Sequence, residues 1–218
     1  MILQWIKELL FPPKCVLCRK ILRNGEQDLC RECRVDAPEY PGGRGKLQLL
    51  DSYAAIWYYE DTVRRSLLRY KFYGARHYAG SYGRLLAMKL LREYPEGFDV
   101  LTWVPVSRLR KLRRGYDQVA LLAEVVGREL GMEPRPLLKK IRNNPPQSGI
   151  TGQAQRRANV LGIYRVENAE EIQGKRVLLL DDILTTGATA GECARVLLTA
   201  GAESVSCAVI AAARKNTK

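Results

Sequence analysis

The chain has one histidine in 218 residues, and no run of apolar side chains approaches the roughly 20 needed to cross a bilayer. The first shortage leaves no general base legible, because His77 opens a helical stretch where a surface or capping position suits it. The second excludes a membrane-spanning helix. Residues 1–11 are too few for a signal peptide and no small-residue cleavage site follows them, so a cytoplasmic location is expected. Ile2, Leu3, Trp5, Ile6, Leu9 and Leu10 still form a broad helical stripe, suited to packing on its own domain, a membrane surface or a partner groove. Acidic residues are also short, 23 against 36 lysines and arginines, for a net charge of +13. That imbalance favours polyanionic partners, nucleic acid first and an acidic membrane surface second, or a solvated basic surface serving a phosphorylated substrate.

Four of the six cysteines are present as Cys15-x2-Cys18 and Cys30-x2-Cys33, with 11 residues between the pairs. Each pair puts two thiolates on one tight turn, and two such turns complete the tetrahedral four-thiolate shell of a structural Zn²⁺. Disulfides or redox pairs are the alternatives. A chain without a signal peptide disfavours the first, and the absence of a βαβ pattern around either pair disfavours the second. The spacing resembles a zinc ribbon. Ala37 to Lys46, with two prolines and three glycines, reads as a linker, so the expected division is residues 1–45 for a zinc-binding module and 46–218 for a larger domain. Cys193 and Cys207 lie in apolar stretches and are expected to be buried.

In the larger part strand and helix patterns alternate. Strands are expected at Tyr53–Tyr59, Val100–Val106, near Leu137 and Ile163, from Val177, and at Val205–Ala211; helices at Thr62–Phe72, His77–Tyr94, Tyr116–Leu130 and from Ala190. Strands separated by helices make an α/β fold with a mostly parallel sheet.

The most informative stretch runs from Val177 to Thr189. Val177 to Leu180 suit a strand covered on both faces, Asp181 and Asp182 bound it, and Thr185, Thr186, Gly187, Ala188 and Thr189 supply small side chains and hydroxyls. Consecutive amides in such a loop can turn around a phosphate, and the helix that follows points its positive end at the same anion. Two carboxylates beside a phosphate cradle would repel a bare polyanion, so sugar hydroxyls or a metal ion are their better partners. An ordinary strand, turn and capped helix is the alternative. The stretch resembles the phosphoribosyl pyrophosphate (PRPP) signature of type I phosphoribosyltransferases. That resemblance implies that Asp181 and Asp182 hold the ribose hydroxyls, with Mg²⁺ accompanying PRPP, and that Thr185 to Thr189 wrap the 5′-phosphate.

Five basic residues fall within Arg108 to Arg114, after the Val100 strand. They suit a pyrophosphate or a solvated basic turn. By the same resemblance Val106, Ser107 and Arg108 form the pyrophosphate loop, and Gln147, Ser148, Arg156, Arg157 and Asn159 belong to a flexible loop that closes over the diphosphate. Val104-Pro105-Val106-Ser107, Arg113-Arg114-Gly115-Tyr116-Asp117-Gln118, Leu68 to Gly74, Pro146-Gln147-Ser148 and the four-cysteine module together are similar to the ComF family. Tyr116 and Asp117 stand where that family more usually has Phe and Asn. Membership implies a phosphoribosyltransferase-like protein associated with DNA uptake, with DNA-uptake proteins as partners.

Residues 104–160 hold 12 basic and 4 acidic side chains, more charge than one diphosphate requires. Tyr70, Phe72, Tyr73, Tyr78 and Tyr82, among Arg69, Lys71 and Arg76, offer rings on which single-stranded DNA could stack, or a core and its rim. The function expected is therefore PRPP binding with phosphoribosyl transfer to an acceptor the sequence does not name, in DNA uptake or nucleotide metabolism, or non-catalytic single-stranded DNA binding with the fold as scaffold or PRPP sensor.

Overall fold

A computed structural model describes residues 12–142 and 159–214. Five strands form the main sheet: β1 (Gly45–Leu47), β2 (Leu50–Tyr58), β3 (Val100–Trp103), β6 (Arg176–Leu184) and β7 (Ser204–Ala212), in the order β1-β2-β7-β6-β3. Only β1 pairs antiparallel; β2, β7, β6 and β3 run parallel. A two-stranded ribbon, β4 (Leu138–Lys140) with β5 (Tyr164–Val166), stands apart from it. The helices are α1 (Arg31–Asp36), α2 (Asp61–Phe72), α3 (Tyr78–Glu93), α4 (Arg108–Arg114), α5 (Gln118–Leu130) and α6 (Ala188–Thr199). No described helix is long and apolar enough to cross a membrane.

Val177 to Leu180 are fully buried because the sheet is covered on both faces. Successive strand residues alternate between the faces. Leu178 and Leu180 join a core with Val63, Leu67 and Tyr70 of α2, Leu86 of α3 and Leu122 of α5, whereas Val177 and Leu179 join Cys193 and Leu197 of α6 and Leu138 of β4. Cys193 and Cys207 are buried, as expected.

The cysteine module is not a separate bead. Val16, Leu17, Leu22 and Leu29 share the first of these cores with α2 and α3. Ser66 Oγ donates to the Val16 carbonyl and Arg69 Nη2 to that of Leu17. Arg84 of α3 adds an ion pair to the buried Asp28, Nε to Oδ2 at 3.1 Å. The hydrophobic core thus crosses the linker at which composition divides the chain.

Three segments depart from the sequence reading. β6 continues through Asp181 and Asp182 to Leu184 instead of stopping before them, since Asp181, Ile183 and Leu184 still pair with β7. β3 ends at Trp103, short of Val106, where Pro105 lacks the amide a ladder needs. Arg108 to Arg114, expected to serve a pyrophosphate or to form a solvated basic turn and not assigned to a helix, is helical. The apolar segment 1–11 lies outside the described residues.

Candidate functional site

Beyond β3 and the short α4, helix α5 packs on one face of the sheet, and α6, the helix that follows β6, packs on the other. β3 and β6 are neighbours, so the crevice outside their carboxyl ends is a topological switch point, where open α/β sheets bind ligands. Both sequence motifs open into this place. The β3 side carries Val104 to Ser107, with Val106 half-buried and Ser107 buried. The Ser107 carbonyl accepts from Lys111 N at 2.9 Å and starts α4, which Arg108 opens. The β6 side carries the acid pair and the Thr185 to Thr189 loop.

Within that loop Gly187 has φ +76° and precedes the first turn of α6. A side chain there would be strained and would meet Leu47 of β1, so glycine is required twice over. Gly187 gives the helix no side-chain cap; Thr186 Oγ1 accepts instead from Ala188 N at 3.4 Å. The loop thereby presents the amino end of a 12-residue helix, and its partial positive charge, at the end of β6.

The two acids straddle the sheet. Asp182 is buried on the α2 and α5 side, where Lys71 Nζ lies 2.8 Å from Oδ1 and Gln118 Nε2 donates to Oδ2 at 3.0 Å. Asp181 points the other way and accepts through Oδ1 from Asp182 N at 2.8 Å. Although Asp181 keeps part of its surface in solvent, burial first and then the charge of Asp182 push its carboxyl up to about 8, against a smaller opposing pull from Lys71. The Lys71 ion pair therefore belongs to Asp182, while burial and that neighbouring charge favour the protonated form of Asp181.

Neither Lys71 nor Gln118 was legible as a site residue. Both are held from behind. Tyr70, buried so that its phenol is pushed well above its ordinary range, donates to the Gln118 carbonyl at 2.5 Å. Tyr116 donates to the Tyr70 carbonyl, and Asp117 Oδ1 caps α5 by accepting from Val119 N and Ala120 N, each at 3.0 Å. Tyr-Asp-Gln at 116–118 and Tyr-Lys at 70–71 are one device: rings lock the two helices together while Lys71 and Gln118 reach Asp182. The sole signal in the sequence was that both stretches look like the ComF pattern.

The cysteines meet as expected. Their four Sγ atoms lie within 4.8 Å of one another, and Cys18 and Cys30 are 3.6 Å apart. Zn–S bonds of about 2.3 Å in a tetrahedron imply S···S edges of about 3.8 Å, so the set fits a structural Zn²⁺ with little adjustment. Cys30 also caps α1 by accepting from Cys33 N at 3.5 Å, and Lys20 pairs with Glu32 between the two turns. Of the expected loop residues, Gln147, Ser148, Arg156 and Arg157 lie outside the described residues; Asn159 is half-buried.

Comparison with known proteins agrees with these two parts. Residues 117–218 match the phosphoribosyl transferase domain and residues 6–43 the double zinc ribbon domain. Competence protein ComFC of Bacillus subtilis is 31% identical over 88% of this chain and 75% of its own length. The chain belongs to the ComF family. Competence protein F of Haemophilus influenzae is 25% identical over 88% of this chain and 93% of its own, and the DNA utilization protein YhgH of Salmonella typhi 29% over 88% and 86%. The transferase match begins at Asp117, so α2 and α3, which join this ComF-family chain's zinc ribbon to its acid pair, lie between the two matched segments.

Proposed function

We propose that the protein binds PRPP with Mg²⁺ in the crevice between β3 and β6 and works as a phosphoribosyltransferase-like component of DNA uptake or DNA utilization, as its relatives' names suggest. One observation carries the reading: the acid pair, the Gly187 loop and the Val106 to Arg108 segment converge at the switch point. Thr185 to Thr189 would take the 5′-phosphate, Asp181 and Asp182 the ribose hydroxyls, and Val106, Ser107 and Arg108 the pyrophosphate. The donor set fits Mg²⁺, which prefers carboxylate and phosphate oxygens and keeps several waters. Gln118 fits as well. Donation to Asp182 fixes its amide, which leaves the buried Oε1 without a hydrogen-bond partner among the described residues and ready for a donor. When bound, Mg²⁺ would offset charge on the diphosphate; the protein's part is to orient the sugar and hold the leaving group. Titration calorimetry with PRPP and Mg²⁺ tests this reading, and no binding overturns it.

Single-stranded DNA as a second ligand is favoured by a specific surface. Of the five rings that could stack or form a core and its rim, Tyr70, Tyr78 and Tyr82 are buried in the core and cannot reach a base. Phe72 and Tyr73 are 59% and 78% exposed at the end of α2, directly after Lys71. The Arg114 guanidinium stacks over Phe72 at 4.9 Å, and that of Arg76 over Tyr116 at 5.0 Å. Exposed rings among cations at the mouth of a phosphate site suit a single strand. Phe72→Ala with Tyr73→Ala should weaken binding of a fluorescent oligothymidine by about tenfold or more, at roughly 1–3 kcal/mol per stacked base. The wild-type affinity should fall steeply with salt. Fluorescence anisotropy at two salt concentrations measures both, and an unchanged affinity in the double variant removes this surface from the reading.

A further inference from the structure

Admission of a polyanion between two aspartates is the unsolved problem of this site, and Lys71 bears on it. Its ammonium sits 2.8 Å from Asp182 Oδ1, with the lysine side chain 18% and the aspartate side chain 8% exposed. Oδ2 is committed to Gln118. Neither charge can be left alone at that depth, because an unpaired buried charge is strongly unfavourable. A ligand that takes Asp182 must therefore bring an anion for Lys71, and a ligand that takes Lys71 must bring a donor or cation for Asp182.

We propose that Lys71 is the exchangeable counter-ion of the crevice and a specificity-determining residue. It balances Asp182 while the site is empty and transfers to ligand phosphate oxygens when hydroxyls or a cation reach Asp182. A sugar diphosphate with its cation satisfies both halves of the broken pair; a bare diphosphate, which leaves Asp182 unpaired, satisfies one. The lysine stem suits such a move, since four methylenes carry a point charge over a wide arc. Its base does not move: α2 is fixed by Leu67 and Tyr70 in the core, and by Ser66 and Arg69 on the Cys15–Cys18 turn. The ligand-specific half of this inference rests on the PRPP reading, whereas the counter-ion half does not.

Inorganic pyrophosphate is the probe. In wild-type protein it should bind weakly, because Lys71 is engaged. Asp182→Asn frees the ammonium, so pyrophosphate should bind about tenfold tighter, while PRPP with Mg²⁺ binds more weakly. Asp181→Asn, on the opposite face and outside the Lys71–Asp182 ion pair, should give much less gain for pyrophosphate. Lys71→Met with Asp182→Asn removes both charges together and should return pyrophosphate to the wild-type level or below; because no buried charge is stranded, this variant folds even where Lys71→Met alone does not. Calorimetry on the four proteins, with circular dichroism as the check on folding, decides it. Unchanged pyrophosphate affinity in Asp182→Asn overturns the proposal, as does a gain that survives in the double variant or is equalled by Asp181→Asn. If the pyrophosphate pattern appears while wild type binds no PRPP, the counter-ion role stands and the sugar diphosphate reading fails.

Discussion

Replacement of both acids, Asp181→Asn with Asp182→Asn, should weaken PRPP binding in the presence of Mg²⁺ by more than about tenfold, 1.4 kcal/mol or more. The amides keep the shape but lose the charge that a cation and the ribose hydroxyls would use. The pH dependence is the sharper signature. Burial and the charge of Asp182 push the Asp181 carboxyl up to about 8, so below that pH a ligand that prefers the carboxylate must expel a proton. Wild-type affinity should therefore rise with pH, by at most about tenfold per unit, and level off above 8; on the acid side binding is opposed because the free protein holds one more proton than the complex. In the double variant that rise disappears. Calorimetry between pH 6 and 9 measures it, and a wild-type profile flat through pH 8, or full affinity in the variant, removes the acid pair from the site.

Removal of the metal should destabilise the whole protein and not the front module alone. Zinc binding to small ribbons supplies about 10–16 kcal/mol of apparent free energy, and here the turn it holds is continuous with the main core through Val16, Leu17 and Leu29. Protein purified without chelators should contain about one zinc per chain. Cys30→Ser with Cys33→Ser, or a strong chelator, should shift denaturant unfolding to lower concentration in a single transition, with loss of several kcal/mol. Two separate transitions, the larger one unmoved, would show that the module and the large domain are energetically independent.

The parts that could be read from sequence were those where local pattern and tertiary role coincide. Val177 to Leu180 are apolar because the strand is covered twice, and the cysteine spacing reports a geometry that thiolates impose on one metal. The end of α5 was legible for the same reason, since Gly131 closes the helix at φ +68° where other side chains strain. α4 was not: seven residues with five cations give no apolar stripe, and Leu109 and Leu112 are exposed. β1 was hidden in glycine and proline, because its place depends on β2 and on Leu47 packing over Gly187. Tyr70, Tyr78 and Tyr82 stayed open between a stacking face and a core, because a tyrosine in a basic stretch reads alike whether it faces water or Trp57 and Leu67; the fold puts all three in the core. Lys71 and Gln118 became visible only with the fold, which brings α2 and α5 to one carboxylate.

Ser66 and Arg69 hold the cysteine turn by its main-chain carbonyls and not by its side chains. The consequence is an asymmetry in what can drift. Positions 16 and 17 present the same carbonyls whatever apolar residue occupies them, so exchange among valine, leucine and isoleucine leaves the grip unchanged. Position 66 must retain a short hydroxyl and position 69 a long planar donor, or the carbonyls of a buried turn lose their partners. A descendant that gave up its cysteines would keep the need to order that turn, with Ser66 and Arg69 still the points from which a replacement could be built.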